Sequence, residues 1–272
     1  MPGNIPKDLG ELLQRVVASF SSILRDNLVG IYLWGSLTYE AFDERCSDVD
    51  CIVVTRRDLD EREFSELDEW FKNAGKHNRW VKRIDMRFVI DVEFLDKSSK
   101  CSGFYPYTGK LVRHGSDGNP LIWMNIGNSG ITLWGKDARL IAPAISDQCL
   151  NDALLLELHY LREDLHAHAG NPSDQALAHN AYAVLTACRI LYSVHHRTLV
   201  SKDQAYAWAI ETLPPMWLTV VRKARENRRK NRGSTTPQLE QDATRFVEFV
   251  ADQVEDVLRQ AGRSFDANRT SS

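Results

Sequence analysis

Residues 29–54 read VGIYLWGSLTYEAFDERCSDVDCIVV, and this stretch decides the fold of the first half of the chain. Its first apolar run has the length and composition of a β-strand and ends at Gly35-Ser36. A second short apolar run begins beside Asp48 and Asp50, eleven residues after the Gly-Ser pair. Because side chains alternate along a strand, both aspartates are expected on one face at the start of that strand.

This spacing of residue types suits the binding of a phosphorylated ligand with its metal. Two carboxylates on one face, Asp48 and Asp50, are oxygen ligands of the kind that Mg²⁺ takes together with substrate phosphates. Gly35 lets the backbone approach a ligand closely, and the Ser36 hydroxyl with nearby N–H groups can hold phosphate oxygens. The pattern therefore predicts a metal and phosphate site at the first strand turn.

The spacing of apolar residues predicts the helices and strands in the rest of the N-terminal half. Apolar residues at helical spacing predict helices over 8–26 and 60–75. In 85–94 apolar residues alternate with polar ones, which predicts a strand with carboxylates on its polar face. The segment 131–135 is a fourth strand candidate. The Gly- and Pro-containing polar region 100–120 is interpreted as a loop.

From residue 147 onward the sequence is Ala/Leu-rich with helical periodicity and almost no strand pattern, which predicts a bundle of four or five helices. The predicted fold class is α+β, with a mixed β-sheet and flanking helices followed by an all-helical bundle. The predicted domains are residues 1–146, an α+β N-terminal domain, and residues 147–272, a C-terminal helical domain.

Composition limits the class of partner. The chain has 272 residues, a net charge of −3 and a pI near 6.3, which argues against a nucleic-acid-binding protein. No segment approaches the length of a membrane span, and the first residues do not resemble a signal peptide. The five cysteines are scattered without a CxxC pair, as in reduced cytosolic proteins. A cytoplasmic location is therefore expected.

The ordered pattern of strand, Gly-Ser, Asp-x-Asp and later acidic strand resembles the polymerase-β-like nucleotidyltransferase superfamily. The C-terminal segment 184–214 narrows this resemblance to the aminoglycoside adenylyltransferases of the 3''/9 type. That family carries an arginine, a Ser-Lys pair, a tryptophan and a Leu-Pro in this order. The corresponding residues are Arg189, Ser201, Lys202, Trp208, Leu213 and Pro214.

The resemblance implies roles for individual residues. Asp48 and Asp50 would bind Mg²⁺, expected as two ions, and Gly35 with Ser36 would contact the nucleotide phosphates. Arg189 and Lys202 would reach ATP, the co-substrate, across a cleft between the domains. Charge supports the last assignment, because an arginine fork and a lysine point charge are the usual partners of polyphosphates.

The resemblance also implies a catalytic base on the acidic strand, and the sequence leaves its identity open. Matching IDVEFL to the family pattern places the base at Asp91. Glu93 lies two residues further on the same face and is the alternative. Asp85 is interpreted as a residue at the start of the strand.

Residues expected to bind the antibiotic match the family less well. The family's Asp and Asn on the arginine helix align here with His179 and Tyr182. Asp174 is a nearby polar candidate, and Trp123 is a candidate for stacking on a sugar or base. A cationic antibiotic would favour such carboxylates and hydroxyl-binding groups.

The predicted function is ATP-dependent transfer of AMP to a hydroxyl of an aminoglycoside or aminocyclitol such as streptomycin or spectinomycin, with antibiotic resistance as the role and a monomer as the state. The alternatives are a nucleotidyltransferase acting on protein or RNA and a non-catalytic homologue that binds nucleotide or antibiotic. The scattered histidines lack an HExxH motif. They are interpreted as surface or core residues, not metal ligands.

Overall fold

The structure is a computed structural model that describes residues 5–91, 101–105, 109–115, 119–170, 176–230 and 235–269. Contacts within the chain divide it into two compact units, Met1–Ile145 and Ser146–Ser272. No helix in these described ranges is both long and apolar enough to cross a membrane.

The first unit is built on a six-stranded sheet with helices on both faces. Its strands are β1 Leu28–Trp34, β2 Val49–Thr55, β3 Ile84–Ile90, β4 Cys101–Phe104, β5 Leu111–Gly115 and β6 Ile131–Gly135. Its helices are α1 Lys7–Leu24, α2 Glu61–His77, α3 Pro120–Ser129 and α4 Ala138–Ile141.

The sheet is mixed, with strand order β5-β4-β3-β2-β1-β6. Only β2 and β3 run parallel, and the long connection through α2 allows this. All other neighbours in the sheet are antiparallel. The two central strands that carry the predicted carboxylates are therefore adjacent, and their register sets which acidic residues meet.

Alternation along β2 and β3 gives the sheet two apolar faces of unequal size. On one face Val49, Cys51 and Val53 pack with α1 and α2 in a large buried cluster. On the other face Ile52 and Val54 pack in a smaller cluster with residues of α3. The smaller cluster leaves the start of β2 on that face for polar residues.

The strands and helices predicted for the first unit are present, with two differences. The region 100–120, interpreted from sequence as a loop, contains strand β4, the edge strand β5 and the start of α3. These strands have four and five residues, too short for a clear alternation, and Gly103 lies inside one of them. The strand expected over 85–94 ends at Ile90.

The second unit is a helical bundle of five α-helices in the residues that the structure describes. They are α5 Asp147–His168, α6 Ala176–His196, α7 Lys202–Thr212, α8 Leu218–Lys230 and α9 Pro237–Arg269. Helix α6 contacts the other four, and most of its length is buried. The predicted α+β class with a helical C-terminal part is confirmed.

Candidate functional site

The turn after β1 is shaped by one glycine. Gly35 has a φ of +71°, in the left-handed region that glycine adopts without strain, and it opens a short 3₁₀ turn over Gly35–Leu37. A Cβ atom at this position would lie 2.1 Å from Oδ2 of Asp50. The missing side chain of Gly35 is therefore the space that the Asp50 carboxylate occupies.

A buried asparagine fixes this turn from the neighbouring helix. Asn125 of α3 accepts a hydrogen bond from the Gly35 backbone N–H at 2.6 Å through its Oδ1. Its Nδ2 donates to the hydroxyls of Thr38, at 3.2 Å, and Ser129, at 2.8 Å. Thr38 in turn donates to the Gly35 carbonyl at 2.9 Å. Sequence reasoning missed Asn125, because its partner lies 90 residues away.

The register of the sheet places two carboxylates side by side. Asp50 on β2 pairs with Asp85 on β3 in the parallel ladder, and Asp48 immediately precedes β2 on the same side. In-register residues of neighbouring strands share a face. The Asp48 side chain is 56% exposed, whereas that of Asp85 is 20% exposed. Asp85, interpreted from sequence as a strand-start residue, is thus the acidic residue beside Asp50.

Asp91, the base expected from sequence, lies at the opposite end of the same strand. It follows β3, and its N–H donates to the Thr55 carbonyl at the far end of β2. Six residues of strand separate it from Asp85, roughly 20 Å at about 3.3 Å per residue. Asp91 is therefore too far from Asp50 to share its ligand. The alternative base, Glu93, lies outside the described residues.

An arginine holds the Asp85 carboxylate in place. Arg87 contacts both carboxylate oxygens of Asp85 at 3.0 Å, through Nε and one terminal nitrogen. The guanidinium also lies over the rings of Trp34, at 5.7 Å, and Tyr105, at 5.9 Å. A bidentate fork of this kind fixes the plane of a carboxylate. Arg87 was not predicted as a site residue.

The donor set fits a hard divalent cation. Asp48, Asp50 and Asp85 supply only carboxylate oxygens, which Mg²⁺ prefers in proteins. The absence of a side chain at Gly35 leaves the space that the Asp50 carboxylate occupies. The position of this one ligand is therefore set before any ion binds. Asp48 and Asp50 would hold Mg²⁺, with Asp85 beside Asp50.

The Ser36 hydroxyl can donate a hydrogen bond to a ligand. Its oxygen is buried and has no hydrogen-bond partner among the residues that the structure describes. A buried polar atom without a partner costs free energy, so such atoms often mark a ligand site. A phosphate oxygen would accept the hydrogen bond that this hydroxyl offers.

In the second unit, Lys202 and Arg189, which are predicted to bind the nucleotide, both interact with Tyr182. Lys202 places its Nζ 3.9 Å from the centre of the Tyr182 ring, and Arg189 acts electrostatically on the same tyrosine. The Tyr182 hydroxyl donates to Glu157 at 3.2 Å. Desolvation raises the pKa of Tyr182 first, and the Glu157 carboxylate adds to this rise. The tyrosine therefore stays protonated at neutral pH and keeps its hydrogen bond.

The start of α7 positions one of these cations. Ser201 caps the helix by accepting from the Gln204 N–H, and Gln204 accepts from the Ser201 N–H in return. This reciprocal capping fixes Lys202 at the first helical position. Sequence pattern alone had indicated Ser201 as this cap.

The residues predicted to bind the antibiotic have different partners. Trp123 is fully buried in the smaller core cluster of the first unit, where no ring face is open to a ligand, so its expected stacking role is wrong. In the second unit, His179 contacts Asp164 at 3.3 Å, whereas Tyr182 contacts Glu157 and Lys202. Asp174 lies outside the described residues.

Comparison with known proteins shows which proteins this chain is similar to. Residues 142–253 match the family model "Aminoglycoside adenylyltransferase, C-terminal domain". The chain is aminoglycoside adenylyltransferase-like. This confirms the predicted family.

Two individual proteins resemble this adenylyltransferase-like chain over most of its length. A spectinomycin 9-adenylyltransferase of Campylobacter jejuni is 23% identical over 263 residues, covering 91% of this chain and 96% of the relative. The crystal structure of spectinomycin adenyltransferase AAD(9) from Enterococcus faecialis with ATP and spectinomycin matches with a TM-score of 0.66 and 15% identity. That match covers 90% of this chain and 99% of that one. Both relatives are of the predicted class, nucleotidyltransferases.

Proposed function

We propose that this chain transfers AMP from ATP to a hydroxyl of an aminocyclitol or aminoglycoside, with a spectinomycin-type acceptor as the leading substrate. The proposal rests on one observation. The β2–β3 register pairs Asp85 with Asp50, and the Asp50 carboxylate occupies the space left by the missing side chain of Gly35. The names of the two relatives support the choice of acceptor. Streptomycin is the second acceptor to be tested, beside spectinomycin.

In the proposed reaction the acceptor hydroxyl oxygen attacks the α-phosphorus of ATP. A new P–O bond forms, the bond to the β-phosphate oxygen breaks, and pyrophosphate leaves. The Asp85 carboxylate takes the hydroxyl proton, and Arg87 keeps that carboxylate oriented. When bound, Mg²⁺ would neutralise the phosphate charge and favour departure of pyrophosphate.

We assign the other residues by their charge and position. Asp48 and Asp50 would hold Mg²⁺, with Gly35 and Ser36 contacting phosphate oxygens. Arg189 and Lys202 would contact the nucleotide, and the ring of Tyr182 would hold the Lys202 ammonium in place. The cytoplasmic location, the monomeric state and the role in resistance stay predictions.

The test combines an acceptor panel with a matched pair of variants. Pyrophosphate release is measured with ATP and Mg²⁺ in the presence of spectinomycin, streptomycin, hygromycin or kanamycin. Asp85→Asn should lower turnover by about 10²–10⁴-fold, the usual contribution of a general base. Asp91→Asn, at the residue that follows the same strand, should leave turnover within about threefold of the unmodified protein.

Two outcomes would contradict the proposal. Loss of activity in Asp91→Asn with retention in Asp85→Asn would return the base to the residue first expected from sequence. Release of pyrophosphate with none of the four antibiotics would remove the proposed acceptor class, and transfer of labelled AMP to protein or RNA would then identify the acceptor.

A further inference from the structure

Two histidines and an aspartate meet between α5 and α6 in the second unit. Asp164 and His168 are four residues apart on α5, so they lie on one face of that helix. His179 comes from α6 and joins them. One oxygen of Asp164 and one nitrogen from each imidazole all lie within 4.8 Å of one another. The proposed reaction gives this cluster no role, and only His179 among its members was a candidate for contacting the antibiotic.

The spacing around Asp164 is that of a coordination site. Its two carboxylate oxygens lie 3.3 Å from Nδ1 of His168 and 3.3 Å from Nδ1 of His179. A tetrahedral ion bound at about 2.0–2.1 Å from each ligand requires ligand atoms roughly 3.3 Å apart. The two contacts to Asp164 have this separation, one at each carboxylate oxygen.

The two imidazole rings lie face to face beside Asp164. Their centres are 4.1 Å apart, with an angle of 16° between their planes. An imidazole nitrogen with a free lone pair is the group that a metal ion needs. His168 Nδ1 donates a hydrogen bond to the Asp164 carbonyl oxygen at 2.8 Å, and metal binding through this nitrogen would replace that bond.

Access and charge match a three-ligand site with an open position. The Asp164 side chain is 10% exposed, whereas those of His168 and His179 are 35% and 31% exposed. An ion can therefore enter from the side of the imidazoles, while the carboxylate is held among the helices. Two nitrogens and one oxygen are a donor set for Zn²⁺, Co²⁺ or Ni²⁺, in contrast to the all-oxygen set of the first unit.

We propose that Asp164, His168 and His179 form a binding site for a divalent transition metal of the Zn²⁺ type, which links α5 to α6 and leaves one coordination position open to water or a ligand atom. This site is separate from the Asp48, Asp50 and Asp85 set, and it does not depend on the proposed transfer of AMP.

The test is a Co²⁺ titration of the full-length, tag-free protein after treatment with EDTA. Tetrahedral Co²⁺ with nitrogen ligands absorbs strongly in the visible range, whereas Co²⁺ bound by oxygen alone in octahedral geometry absorbs weakly. We expect a strong band that saturates at one equivalent, that Zn²⁺ abolishes, and that excess Mg²⁺ leaves unchanged.

Variants separate this site from chance binding by surface histidines. His168→Ala and His179→Ala should each weaken Co²⁺ affinity by about tenfold or more, and Asp164→Asn should do the same. The matched control is His159→Ala, because His159 also pairs with a carboxylate four residues away, Glu163 at 3.2 Å, but has no third ligand among the described residues. His159→Ala should bind Co²⁺ as the unmodified protein does.

Folding of each variant is checked by far-UV circular dichroism, and Gln replacements at both histidines provide a second set if an Ala variant unfolds. Equal Co²⁺ affinity in the unmodified protein and the His168 and His179 variants would overturn the proposal. Loss of the band in His159→Ala, or a weak octahedral spectrum alone, would overturn it as well. Because the readout is metal binding, failure of the proposed AMP transfer would leave this result unaffected.

Discussion

At the scale of single residues, Gly35 makes two contributions that one substitution can separate. Its left-handed backbone costs any other residue about 1–2 kcal/mol, and its missing Cβ leaves room for the Asp50 carboxylate. Gly35→Ala should therefore displace Asp50 and lower pyrophosphate release by at least about tenfold, in addition to a modest loss of stability. Steady-state assays and thermal unfolding measure the two effects.

Gly109 provides the matched control for this prediction. It has a φ of +60°, and a Cβ there would meet nothing within 4 Å. Gly109→Ala should carry the same backbone cost as Gly35→Ala, yet leave turnover unchanged. If both variants lost activity in proportion to stability, the clash with Asp50 would not be the cause.

Two pairs of aspartates show what sequence reasoning can and cannot predict at this scale. Asp48 and Asp50 follow from a local pattern, since a two-residue spacing on a strand fixes their common face. The predicted strand 85–94 places Asp85 and Asp91 on one face as well, so alternation alone cannot choose between them. The pairing of Asp85 with Asp50 depends on how far β3 is shifted along β2, which packing determines.

At the scale of elements, helix α3 supports the site through one side chain. Asn125 is 2% exposed and holds the Gly35 turn by a hydrogen bond to its backbone N–H. Asn125→Leu keeps a similar volume but leaves that N–H without its acceptor, at a cost of about 1–3 kcal/mol. We expect a lower kcat with retained secondary structure, measured by pyrophosphate release and circular dichroism.

Ser129→Ala is the control for the role of α3. It removes one partner of Asn125 but keeps the bond from Asn125 to Gly35. Its turnover should stay close to that of the unmodified protein. Turnover of Asn125→Leu within about threefold of normal would mean that the turn keeps its shape without this helix.

The elements that sequence analysis missed share a physical cause. Strands β4 and β5 have four and five residues, so the periodic pattern that identifies longer strands is absent. Backbone hydrogen bonds join β5 to β4 and β4 to β3, and these bonds stabilise both strands in the sheet. Such short strands therefore depend on pairing with a neighbour, and the residues alone indicate a loop.

At the scale of the whole molecule, each unit has its own aromatic core. Phe20 is fully buried in the first unit, where it contacts Trp70, Phe71 and Phe88. Phe246 is fully buried in the second unit, against Trp217. We predict that the expected domains 1–146 and 147–272 unfold separately, and these two residues allow a test.

Phe20→Leu and Phe246→Leu should each destabilise by about 1–2 kcal/mol, because a leucine leaves part of the ring volume empty. Hydrogen exchange measured by mass spectrometry should show lower protection only in the unit that carries the change. Equal loss of protection in both units for either variant would show that the chain unfolds as one cooperative body.

By itself, the sequence determined the fold class, the main helices and strands, and the Gly35 turn beside Asp48 and Asp50, because each depends on spacing within a short segment. Only the tertiary structure decided that Asp85 stands beside Asp50, that Asn125 holds the turn, and that His168 and His179 share the Asp164 carboxylate. These contacts join distant segments. The periodicity of a segment predicts on which face of a strand or helix a side chain lies. Strand register and helix packing determine which side chains from different segments are in contact.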